Sequence, residues 1–73
     1  MIAVDVTGTA DKIKRLINLN NITVIHICNE LNISKPAVYK WLSGQSLPTI
    51  DNLVMLSDMF NCTVDDILII DRY

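Results

Sequence analysis

Apolar residues recur at helical spacing through most of this chain and alternate with small or polar ones only near its start. From about Ala10 to Asn20, Ile13, Leu16 and Ile17 share one stripe, while Lys14, Arg15 and Asn18 lie off it; this is the pattern of a helix with one covered face. Asn20-Asn21 ends it. Thr23 is placed to cap a second helix, Val24 to Leu31, with Val24, Ile27, Cys28 and Leu31 inward and His26, Asn29 and Glu30 outward. Asn32-Ile33 turns the chain, since Asn tolerates the left-handed conformation that a tight turn needs. Ser34 then caps a third helix with Pro36 in its first turn, where no intrahelical N–H is lost, and Ser43-Gly44 closes it. Thr49 caps a fourth helix, Ile50 to Asn61, with an expected inner stripe of Ile50, Leu53, Val54, Leu56 and Phe60. Thr63 repeats the capping pattern for a short fifth helix that runs to about Ile69.

The alternating segment Ile2 to Val6 reads as a short strand that Thr7-Gly8-Thr9 breaks. Its expected partner is Leu68 to Arg72. The fold class is therefore all-α: five short helices, with short terminal strands, and no repeat, low-complexity tract or linker. Residues 1–9 read as an N-terminal extension, 10–69 as the domain and 70–73 as a C-terminal tail.

The third helix separates its residues into two faces. At about 100° per residue, Lys35, Tyr39, Ser43, Pro36 and Lys40 fall within an arc of about 140°, and Ala37, Trp41, Val38 and Leu42 take the remainder. One face is suited to a core and the other to contact. Two short helices joined by a tight turn, the second with a polar and cationic outer face, meet the requirements of a helix-turn-helix that reads double-stranded DNA in the major groove.

Composition narrows the alternatives. At 73 residues and 51% hydrophobic, the chain is one domain close to the smallest size that a single core can support. Cys28 and Cys62 are far apart, match no metal-ligand spacing and accompany a single histidine, so no metal or cofactor is expected. They read as buried small hydrophobes in a reducing cytoplasm rather than as a disulfide pair. The start lacks the basic residues and apolar length of a secretory signal, and no apolar run is long enough to span a bilayer; the expected location is cytoplasmic. Net charge is −2, but it is divided: residues 1–45 carry a net +2 and residues 46–73 a net −4. A basic front and an acidic back result, and local charge governs docking more than the sum does.

From Lys12 to Leu68 the chain resembles the phage repressor and Cro-type helix-turn-helix family, often called the XRE family. The matching features are Ile13 to Leu16, Thr23 opening the second helix, Ser34 capping the third, Ala37-Val38, Lys40-Trp41, Gly44, Ser46 with Pro48, Asp51-Asn52-Leu53, and Val64 to Leu68. The resemblance implies a five-helix DNA-binding regulator of transcription, repressor-like and dimeric. It implies base contacts from Lys35, Pro36, Tyr39 and Lys40, and phosphate contacts from Thr23, Ser34, Ser43, Gln45 and Ser46. Val24, Pro36, Leu42 and Gln45 stand where the family often has residues that offer a polar or charged contact, which implies modest affinity per monomer. The acidic pI of 4.9 and those departures are the features expected of a second class, a protein-interaction module such as an antitoxin.

Trp41 points with Val38 to the core side and reads as packing. His26 is outward with no nucleophile or orienting carboxylate beside it, and no carboxylate pair or glycine-rich loop is present, so no enzymatic activity and no small-molecule substrate is expected. Met55 and Met59 lie off the expected inner stripe of the fourth helix; with Ile69 and Ile70 they suggest an apolar patch that a second copy of the chain covers.

Overall fold

The computed structural model describes every residue from Met1 to Tyr73. Its elements in order are β1 (Ile2–Val4), α1 (Val6–Leu19), α2 (Val24–Leu31), α3 (Lys35–Leu42), α4 (Ile50–Met59), α5 (Val64–Ile67) and β2 (Ile70–Arg72). The five helices and the small terminal sheet agree with the fold class expected from the hydrophobic pattern. No helix is long and apolar enough to cross a membrane.

Local chemistry accounts for most boundaries. Thr23, Ser34, Thr49 and Thr63 each accept a first-turn N–H on their side-chain oxygen, the bond that replaces a missing intrahelical partner. At the other ends, Asn21, Asn32, Gly44 and Asn61 all have positive φ, from 53° to 78°. Each of the first four helices is thus followed by a left-handed residue that turns the chain away from its axis.

Several expectations are corrected. α1 begins at Val6, four residues ahead of Ala10, because Asp5 caps it by accepting the Gly8 N–H at 2.9 Å. Thr7-Gly8-Thr9 is consequently the first turn of a helix rather than a break. Gly8 is required there: a Cβ on it would fall 2.5 Å from the Asp5 carboxylate. Second, α4 stops at Met59, and Ile50 and Val54 lie outside the core, 78% and 54% exposed. Third, α5 ends at Ile67, after which Leu68 is extended and leads into β2. Cys28 and Cys62 are free and half-buried rather than fully covered.

The core is one cluster in which Ile13 and Leu16 of α1, Ile27 and Leu31 of α2, Val38 and Trp41 of α3, Leu53 and Leu56 of α4, Phe60 and Ile67 all meet. β1 and β2 pair antiparallel, Ile2 with Arg72 and Val4 with Ile70. The terminal pairing anticipated over five residues a side is present as three. It brings the two ends of the chain together, with the Met1 ammonium bonded to the Tyr73 carbonyl.

Candidate nucleic-acid interface

α2, the turn at Asn32-Ile33 and α3 form the expected pair. Asn32 takes φ 55° and ψ 49°, and the Ile33 N–H returns to the Cys28 carbonyl at 3.1 Å, so the turn is closed by the end of α2 itself. Ile33 is half-buried against the core. Val38 and Trp41 anchor α3 from the inside, at 0% and 5% exposure. The angle of α3 relative to α2 is therefore set by packing on both sides of the turn, which is what a rigid reading element needs.

The outer face of α3 is open. Lys35, Pro36, Tyr39, Lys40 and Ser43 are all exposed, the same five residues that the helical wheel selects. Neither lysine has an acidic partner, since the chain's single ion pair joins Lys14 to Asp11 at 3.6 Å. Both ammonium groups are free to meet an anion. Tyr39, 53% exposed between them, adds a flat apolar ring with a hydroxyl at its tip.

The loop after α3 is held to that helix chiefly by one carbonyl, beside the Gly44 N–H bond to the Trp41 carbonyl at 3.2 Å. The Lys40 oxygen accepts from Ser43 Oγ at 3.2 Å, from Gln45 N at 2.9 Å and from Ser46 N at 3.3 Å. Gly44, with φ 78°, makes this return possible; the sequence suggests it only as a helix stop. Gln45 is exposed and Ser46 half-buried. Both sit beside the C-terminal end of α3. Thr23 and Ser34 are exposed at the starts of α2 and α3, but their oxygens already act as caps, accepting from His26 N at 3.1 Å and Ala37 N at 3.4 Å. Each hydroxyl keeps its proton free to donate.

Of the four residues assigned to a self-contact, Met55 and Ile70 are exposed while Met59 and Ile69 are half-buried. Met59 packs against the core, and the Ile69 backbone is engaged by Asp5 and Thr9. The four do not form one surface row on α4. No group of His, Cys, Asp and Glu is arranged to hold a metal ion.

Comparison with known proteins agrees with this geometry. The family model for the Cro/C1-type helix-turn-helix DNA-binding domain matches residues 12–72. The HTH-type transcriptional activator BcrR of Enterococcus faecalis is 31% identical over 58 residues, which cover 80% of this chain and 28% of that protein. The chain thus corresponds to little more than a quarter of that relative's length. No solved structure matches.

Proposed function

Because the chain belongs to the Cro/C1-type helix-turn-helix DNA-binding family, we propose that it binds specific duplex sites as a homodimer, with α3 of each copy in a major groove. The observation that carries this reading is the outer face of α3: two unpaired lysines flank an exposed tyrosine on a helix whose opposite side is locked into the core. A groove about 12 Å wide admits such a helix. Lys35, Pro36, Tyr39 and Lys40 then meet base edges, and Thr23, Ser34, Ser43, Gln45 and Ser46 meet phosphates on either side. Two half-sites lie about 34 Å apart, one helical turn of DNA.

The regulatory outcome is repression by occupancy. A domain that covers a half-site acts first by excluding other proteins from that DNA. Activation, the role in the printed name of the Enterococcus relative, requires in addition a surface that recruits the transcription machinery.

Selection from a random duplex pool, followed by titration of the enriched site at two salt concentrations, tests the proposal. The expected result is a two-fold symmetric motif whose binding weakens steeply with salt. Absence of any salt-sensitive binding, to the pool or to random duplex, overturns it and favours the protein-interaction module.

A further inference from the structure

The outer face of α3 offers a restricted chemistry. From Ile33 to Gly44 the chain has no Asp, Glu, Asn, Gln, His or Arg. The exposed residues within the helix are Lys35, Pro36, Tyr39 and Lys40. The serines at its two ends are engaged with the backbone: Ser34 Oγ accepts the Ala37 N–H at 3.4 Å, and Ser43 Oγ donates to the Lys40 carbonyl at 3.2 Å. The amides that bracket the helix lie outside it, Asn32 in the left-handed turn before Ser34 and Gln45 in the loop beyond Gly44. What α3 can place in a groove is therefore two ammonium donors and the apolar surfaces of Pro36 and Tyr39, with one phenolic hydroxyl.

Each base edge of the major groove calls for a different partner. Adenine, with an acceptor beside a donor, is met by an amide, and the amino group of cytosine by a carboxylate. α3 has neither. Guanine presents two acceptors, N7 and O6, which suit an ammonium group, and thymine presents a methyl, which suits an apolar side chain. Neither lysine is drawn off by a carboxylate of the chain itself, since the single ion pair joins Lys14 and Asp11. Pro36 has no N–H to satisfy and turns only ring methylenes outward.

Order along the helix sets order along the DNA. At 1.5 Å per residue, Lys35 and Lys40 stand about 7.5 Å apart, close to two base-pair steps of about 3.4 Å when the helix axis follows the groove. Pro36 and Tyr39 lie between them in that direction. Val38 and Trp41 hold the helix from behind, so the core fixes how the four side chains are presented together.

We infer that each half-site carries two guanines about two base pairs apart, read by Lys35 and Lys40, with a thymine between them whose methyl packs against Pro36 and Tyr39. The inference rests on the DNA-binding reading above and adds the bases that this face selects.

The probe is the duplex enriched from a random pool, titrated with the full chain. Replacing either guanine by 7-deazaguanine, which pairs normally but lacks N7, is expected to weaken binding about fivefold or more. Replacing the thymine by uracil, which lacks only the methyl, weakens it about fourfold. Lys35→Ala removes the response to one guanine and Lys40→Ala the response to the other, while Tyr39→Ala diminishes the response to uracil. All three side chains are exposed, so thermal melts of the variants stay close to wild type. An enriched half-site that lacks this order of guanine, thymine and guanine overturns the code, as does one indifferent to every base replacement. Responses that persist unchanged in both lysine variants overturn it too. Those outcomes leave DNA binding itself standing wherever binding to the duplex remains salt-sensitive. Absence of salt-sensitive binding by the wild-type chain overturns the reading on which the code rests.

Discussion

The hydroxyl oxygen of Thr9, wholly buried in α1, accepts the backbone N–H of Ile69 at 3.0 Å, across 60 positions of sequence. This bond joins the first helix to the chain leaving α5, one residue before β2 begins. It sits beside the Asp5 N–H to Ile69 carbonyl bond of 2.7 Å, so both polar groups of Ile69 are satisfied from α1 and its cap. Thr9→Val keeps the shape and removes the acceptor, leaving the Ile69 N–H unpaired. The expected cost is about 1–3 kcal/mol, which thermal melting should register as a drop of roughly 5–20 °C for a chain of this size. Thr9→Ser retains the acceptor and should melt well above the valine variant; equal losses would mean the bond contributes nothing.

Lys35→Ala with Lys40→Ala removes the two free cations of the outer α3 face without touching the core. Affinity for duplex DNA is expected to fall, and the dependence of log affinity on log salt to become shallower, because two cations that sit in the groove between the phosphate rows are removed. An unchanged salt slope together with unchanged affinity would show that α3 does not present this face to DNA.

Gly44→Ala tests the loop behind the phosphate contacts. A Cβ there meets only Thr7 Oγ1 at 3.6 Å and Thr7 Cα at 3.7 Å, which is ordinary packing distance. The penalty comes instead from the positive φ of 78°, and is expected to be about 1–2 kcal/mol. Denaturant unfolding measures it. A loss in DNA affinity beyond that of stability would report displacement of Gln45 and Ser46, whose N–H groups return to Lys40.

Asp66 makes the acid response of α5 predictable. Its carboxylate accepts the Thr63 N–H at 3.0 Å while Thr63 Oγ1 accepts the Asp66 N–H at 3.2 Å. The bonds from Thr63, backbone first and side chain second, hold the Asp66 carboxyl below the usual carboxylate range. A folded-state pKa below the unfolded one stabilises the protein above the unfolded value, near 3.9, and that contribution is lost as pH falls through the lower folded value. Asp66→Asn should therefore melt below wild type at pH 6, with the gap closing under acid. A gap that stays constant down to pH 2 would sink this account.

Burial, with the Asp66 carboxylate as a smaller contribution, pushes the Cys62 thiol up from its ordinary value, against a small opposing effect of Lys12. Alkylation at pH 7.5 is expected to be slower at Cys62 in the native chain than in the urea-unfolded one, read by mass spectrometry of the modified peptide. Equal rates would show that the thiol is as freely ionised as in an open chain.

Much of this protein was legible residue by residue. Thr23, Ser34, Thr49 and Thr63 were readable as caps because each is a short hydroxyl side chain immediately before a helical pattern. The two faces of α3 were readable because its apolar and polar residues never mix around the wheel. Asp5 was equally available as a cap, but Gly8 in the first turn obscured it: the low helix propensity of glycine suggested a stop, whereas the cap and the Thr9–Ile69 bond outweigh that preference. Ile50 and Val54 were misplaced for a different reason. Their spacing is helical and their side chains aliphatic, and nothing in the pattern distinguishes a stripe covered by the chain's own core from one that stays exposed.

The sequence by itself determined where helices start and turn, and which side of α3 faces outward, since capping bonds, left-handed Asn and Gly and helical periodicity act within a few residues. Only the tertiary structure decided that the two ends pair as a sheet, that Ile69 is tied to α1, and that the Ile50–Val54 flank of α4 remains uncovered. Those outcomes depend on which surfaces meet across the whole length of the chain, and burial there is settled by the sum of all contacts rather than by any one residue's preference.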